Sequence, residues 1–238
     1  MALGSQPRWT VRSADAQVGV DVGLREYMLR VYNYMASGLA LTGIIAYVAY
    51  ASGFYHRLAG TPVMWLVILA PLGLVMLMSF GVNKMSAGTL QGVFWLYAAL
   101  MGLSMAGIFL VFTGTSIARV FFITAGTFAG MSLYGYTTRR DLSQFGSFLF
   151  MGLIGIIIAS LVNMFLASSA LQFAISVIGV IVFTGLTAWD TQQIKEMYYA
   201  ADDREIAGKK AIMGALRLYL DFINLFMMLM QLLGTRRD

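Results

Sequence analysis

The chain has 238 residues, of which 59% are hydrophobic and only 11% charged, with a formal net charge of +5 and a mean hydropathy of +0.77. Too few polar side chains remain to cover a soluble globule, and the aliphatic and aromatic content is too high for a disordered chain, so the composition is that of a membrane protein. The absence of cysteine excludes disulfides, Cys-ligated metals and thiol nucleophiles. A basic balance can signal nucleic-acid binding, but that requires a basic face on a soluble domain. Here the charges lie between apolar runs, so no nucleic-acid partner is expected and the charges report topology instead.

Residues 1–30 are polar, carry Arg8, Arg12, Arg25 and Arg30, and lack the apolar stretch of a cleavable signal. They read as a cytoplasmic tail with a short amphipathic approach helix. Seven apolar runs follow, over about 31–52, 63–82, 90–112, 120–136, 148–166, 171–190 and 212–233. Each is roughly 17 to 23 residues long, which at ~1.5 Å per residue matches a hydrocarbon layer of ~30 Å. The expected organisation is an all-α, seven-helix transmembrane domain over 31–233 and a short C-terminal tail over 234–238. Pro71 predicts a kink in the second span. Gly126 and Gly130 form a GxxxG step in the fourth, and Gly152 and Gly155 suit close helix packing in the fifth. The connections are short, the longest running from about 191 to 211, which leaves no room for an extramembrane catalytic domain.

With these boundaries, the side holding the N-terminus carries the four tail arginines, Lys84, Arg139, Arg140, Lys195, Arg204, Lys209 and Lys210. The opposite side carries Arg57, Arg119, Arg236 and Arg237. Because basic residues near spans stay cytoplasmic, the N-terminus is expected inside and the C-terminus outside.

Intramembrane charge is the sharpest signal, since a charged side chain at a helix centre costs ~2.5 to 3.5 kcal/mol on insertion scales. Of the acidic residues, Asp190, at the cytoplasmic end of the sixth span, and Asp221, about ten residues into the seventh, fall within apolar runs. Both lie in the cytoplasmic half and meet if the last two helices pack together. Two carboxylates at close range do not both ionise cheaply, so the pair is a candidate proton sensor or cation site. The competing reading is local neutralisation: Arg217 lies four residues before Asp221 on the same helical face, and Asp190 caps its helix or snorkels to the interface. Lys84, ending the second span on the same side, is a candidate basic partner or simply a topology determinant. Asn224, three residues after Asp221, is a candidate polar neighbour, while Asn163 and Gln172 read as interhelical glue.

Several chemistries are excluded. The only histidine, His56, falls in an outside loop, which leaves no HExxH zinc site, Ser-His hydrolase or intramembrane histidine switch. There is no phosphate-binding GxxxxGK[ST] loop, and the seventh span has no lysine for a retinal Schiff base. Paired aspartates also equip intramembrane aspartyl proteases, but Trp189 precedes Asp190 where those enzymes have tyrosine, and Asp221 follows Leu218-Tyr219-Leu220 in place of a GxGD turn.

The segments Ile175 to Lys195, ISVIGVIVFTGLTAWDTQQIK, and Ala215 to Gly234, ALRLYLDFINLFMMLMQLLG, resemble the two hallmark segments of the Bax inhibitor family, and of its bacterial branch above all. The similarity extends to the third-span LYAALMGLSMAGIFLVFTG and the fourth-span SLYGYTTRRDLS. The resemblance implies a seven-helix fold with the last helix surrounded by the other six, and a pH-sensitive calcium leak. It places the family's paired aspartates at Asp190 and Asp221, hydrogen-bonded to each other when closed and controlling opening as they titrate. Counting back from Gly102 places the basic residue that ends the second span at Lys84, where some relatives have arginine.

The expected function is therefore a passive, pH-gated cation leak in a bacterial inner membrane, by a monomer that is not an enzyme. Ca²⁺ is expected as permeant ion, in transient contact with Asp190 and Asp221, and no bound cofactor is implied. The alternative, also carried by the resemblance, is an interaction protein modulating a membrane-anchored ATP-dependent protease through its polar tail and the 191–211 connection.

Overall fold

The computed structural model describes residues 22–237, so the expectations placed on residues 1–21 lie outside the described part. Among the described residues nine helices follow in order: α1 (Val22–Ala51), α2 (Phe54–Leu58), α3 (Val63–Gly81), α4 (Ala87–Met105), α5 (Ile108–Val111), α6 (Gly114–Thr137), α7 (Ser143–Leu166), α8 (Ser169–Glu196) and α9 (Arg204–Leu233). Seven of these units, with α4 and α5 together making the third, are long and apolar enough to cross a membrane.

The helices outrun the apolar segments at their polar ends. The approach helix and first span form one continuous α1 from Val22, so the boundary at residue 30 falls inside a helix. The expected 191–211 connection shrinks to 197–203, because α8 continues to Glu196 and α9 starts at Arg204, where Asp203 caps it by accepting from Ile206 N–H at 2.7 Å. Hydropathy marks where lipid begins, whereas backbone hydrogen bonding, satisfied by caps, sets where a helix ends. Ser86, Thr113 and Ser168 cap α4, α6 and α8 in the same way. Pro71 sits within an uninterrupted α3.

In α9, 67% of the most apolar stretch is buried, against 11% to 44% in the other spans, which makes it the central helix. It packs directly on α1, α4, α6 and α8, while α3 leans on α4 and α7 on α8. Close approach comes from glycines other than the expected step. Gly126 and Gly130 are exposed with nothing near a Cβ, and Gly155 likewise has open space. A Cβ at Gly135 would instead run into the backbone carbonyl of Ala188, and one at Gly146 into the Trp189 ring, while Gly152 abuts Val182. These contacts lock α6 and α7 onto the segment of α8 that carries Asp190.

The C-terminal tail is part of the fold. Phe112 and Arg236 form an antiparallel bridge, with Thr113 N–H donating to Thr235 O at 3.0 Å and Arg237 N–H to Val111 O at 2.9 Å. The Arg237 guanidinium donates to Tyr50 OH at 2.6 Å and lies 5.4 Å from the centre of its ring.

Candidate functional site

Asp190 stands on α8 and Asp221 on α9, the helix pair with the most extensive packing in the fold. Their carboxyls face each other closely enough to share a hydrogen bond. Asp221 is 5% exposed, and its Oδ2 is buried without any other donor in reach. A hydrogen bond between two carboxyl groups exists only when one of them carries a proton.

Arg217 resolves the question of local pairing in favour of the other aspartate. Its Nη1 lies 3.9 Å from Asp190 Oδ1, and no ion pair joins it to Asp221. Helical spacing leaves both carboxyls within reach, and the packing of α9 against α8 turns Arg217 across to α8. Half-exposed, with one long contact, its guanidinium is a partial counter-ion and not a bidentate clamp.

The other sequence candidates divide. Asn224 lines the same cavity as the aspartates, but its Nδ2 donates to Leu220 O at 2.8 Å, one turn back on α9. Lys84 is exposed in the turn after α3, forms no ion pair with either aspartate and lies off the cavity, so the basic triangle does not close. Asn163 Nδ2 donates to Gln172 Oε1 at 3.2 Å, joining α7 to α8 as expected of interhelical glue.

The acid pair closes one end of a cavity of about 1030 Å³ between α3, α4, α7, α8 and α9. Tyr97 and Trp189 also line it, and both have a buried polar atom without a hydrogen-bond partner among the described residues, the hydroxyl and Nε1 respectively. The remaining wall is largely aliphatic and aromatic. Two hydroxyl relays flank the site. Thr42 Oγ1 donates to Ala98 O at 2.8 Å, so its 2.6 Å contact to Tyr219 must be donated by the tyrosine, which ties α1, α4 and α9 together. By the same reasoning Tyr32 donates to Ser132 at 2.6 Å and Ser132 to Thr191 at 2.9 Å, because Thr191 spends its proton on Thr187 O. Sequence reasoning passed over these hydroxyls and Tyr97, because Ser, Thr and Tyr in apolar spans are common and only their mutual geometry distinguishes them.

The family model described as "Inhibitor of apoptosis-promoting Bax1" matches residues 24–238. An uncharacterised protein of Rickettsia prowazekii is 54% identical over 219 residues, covering 92% of this chain and 93% of its own. The inner membrane protein YbhL of Escherichia coli K12 is 50% identical over 228 residues, covering 94% and 97%. A Caulobacter vibrioides protein is 44% identical over 239 residues, covering 94% of each. With a family match over nearly its full length and relatives this similar end to end, the chain belongs to the Bax inhibitor family.

Proposed function

We propose that this protein is a passive cation pathway of a bacterial inner membrane, that Ca²⁺ is the permeant ion, and that the protonation state of the Asp190–Asp221 pair sets whether it conducts. The observation that carries this reading is Asp221 itself, a carboxyl 5% exposed and facing a second carboxyl at the end of a large intramembrane cavity. With one shared proton the pair carries a single negative charge, which the Arg217 guanidinium offsets. Loss of that proton leaves two negative charges and one positive in low dielectric, a state relieved by separation of the helices or by a cation with a preference for oxygen ligands. The function requires neither covalent turnover nor an organic cofactor, and it is within reach of a monomer. Membrane location follows the relative named as an inner membrane protein, and the basic asymmetry of the sequence supports an N-terminus in the cytoplasm and a C-terminus outside.

The test is Ca²⁺ flux into liposomes containing the purified protein at pH 6, 7 and 8, for wild type, Asp190→Asn and Asp221→Asn. Flux that varies with pH in wild type and loses that dependence in both variants is expected. No flux above empty liposomes at any pH would sink the leak.

A further inference from the structure

The cavity that ends at the acid pair opens between α3 and α7. Helix α3 packs on α4 and α7 on α8, while α3 and α7 pack little on each other. Ile68 and Leu72 of α3 and Ile157 and Leu161 of α7 line the cavity and are at the same time exposed on the outer surface of the bundle. The mouth between them faces the acyl chains of the bilayer, so anything entering there arrives from lipid. At about 1030 Å³ the space lies just above the roughly 300–1,000 Å³ of small-molecule sites.

Charge selects among lipophilic ligands. Lining residues from α3, α4 and α7 carry no ionic group, so the charged lining consists of Asp190, Asp221 and Arg217. Arg217 is committed to Asp190 at 3.9 Å, which leaves Asp221 uncompensated, its Oδ2 buried and without a donor. With the shared proton the site is neutral, and without it the site is short of one positive charge. The aromatic side chains of Tyr97 and Trp189 line the same cavity, and aromatic faces attract ammonium groups. A single-chain anion would find one half-committed guanidinium against two acids, and a neutral alcohol brings no charge to take the place of the shared proton.

We propose that the cavity binds lipophilic ammonium ions, with the hydrocarbon chain between α3 and α7 and the cationic head at Asp190 and Asp221. The ammonium replaces the proton shared by the acids: one cation enters as one proton leaves, and the charge of the site is unchanged. Protons therefore compete with the ligand. The titratable groups that share the cavity lining with the pair are Arg217 from α9 and the Tyr97 phenol from α4, together with the non-titrating indole of Trp189 from α8. Among the described residues α1, α3, α6 and α7 contribute no ionic group to that lining. The inference shares the acid pair with the proposed leak but does not require conduction.

The experiment is equilibrium binding of radiolabelled dodecyltrimethylammonium to the full chain in phosphatidylcholine nanodiscs, corrected with empty nanodiscs, with dodecanol and dodecyl sulfate as probes of equal chain length. Saturable binding near one per chain is expected for the ammonium alone, weakening as pH falls. Removing one partner of a buried charged contact makes Asp221→Asn at least about thirtyfold weaker. Should Asp221→Asn fail to fold, Ile157→Trp, which fills the mouth and leaves the acids intact, must also weaken binding. Equal or tighter binding of dodecanol or dodecyl sulfate, or no saturable binding of the ammonium, overturns the proposal. Ca²⁺ flux measured on the same preparations separates the two ideas: binding without flux retains this site and removes the leak, and flux without binding does the reverse.

Discussion

The contrast between Gly135 and the GxxxG step of α6 gives a prediction on which sequence pattern and structure disagree. A motif reading expects Gly126→Ala and Gly130→Ala to be damaging, because small residues four apart are read as a helix–helix contact. The structure places both on the exposed face with open space, so alanine there gains intrinsic helix propensity, up to about 1 kcal/mol, and loses nothing. At Gly135 the added methyl meets the carbonyl oxygen, carbonyl carbon and Cα of Ala188. All three are backbone atoms, so no side-chain rotamer relieves the clash and α6 must move away from α8. Overpacking of this kind costs about 1–3 kcal/mol. Rigid backbone on both sides puts the cost at the upper end, and after the propensity gain Gly135→Ala is expected to be destabilised by on the order of 2 kcal/mol. Because Ala188 lies two residues from Asp190, the same displacement is expected to alter whatever property the acid pair controls. Steric-trapping unfolding in bicelles measures all three variants on one scale. Unchanged stability in Gly135→Ala, together with a loss in Gly126→Ala or Gly130→Ala, would refute the packing assignment.

Two further substitutions probe what holds the central helix. Thr42→Val removes the hydroxyl that accepts from Tyr219 and donates to Ala98, leaving a buried phenol unpaired; a loss of about 1 kcal/mol by the same unfolding assay is expected, and Tyr219→Phe in the Thr42→Val background should cost nothing more. Arg237→Ala removes the hydrogen bond and cation–π contact to Tyr50. Hydrogen exchange at 111–113 and 235–237 should rise while exchange in α8 and the middle of α9 stays unchanged, and equal acceleration everywhere would show that the tail supports the whole bundle, not only its outer end.

The fold was legible in the sequence because bilayer thickness imposes itself on every span, and seven apolar runs of the right length leave little choice of architecture. The acid pair was legible because a carboxylate in an apolar run is costly enough to stand out, and a short connection makes α8 and α9 antiparallel neighbours. The partner of Arg217 was not legible. Helical spacing put Arg217 beside Asp221, but the choice between an intrahelical and an interhelical carboxylate depends on the rotation of α9 against α8, which packing decides. Lys84 failed for a related reason, since sharing a side of the membrane does not bring residues together across a bundle. The helix ends were also misplaced, because Tyr27, Lys195 and Arg204 are too polar to count towards a span yet continue helices that began in it.

The distribution of packing follows from putting acids in hydrocarbon. A buried carboxyl pair is tolerable only if its geometry is fixed, because small separations change the electrostatic energy steeply in low dielectric. Accordingly Asp190 and Asp221 sit on the two most buried spans, with α8 pinned by Gly135, Gly146 and the Gln192 side chain, which accepts from Leu142 N–H at 2.8 Å and donates to Arg140 O at 2.8 Å. The opposite wall of the cavity belongs to α3, which packs chiefly on one neighbour, has only Val67, Pro71 and Met78 buried, and follows two left-handed glycines, Gly53 and Gly60. Few buried contacts mean a low cost of local displacement. Changes in access to the acids are therefore cheapest at α3, and changes in the spacing of the acids are dearest. A ligand or ion that reaches the pair is met by rigid acids behind a compliant wall.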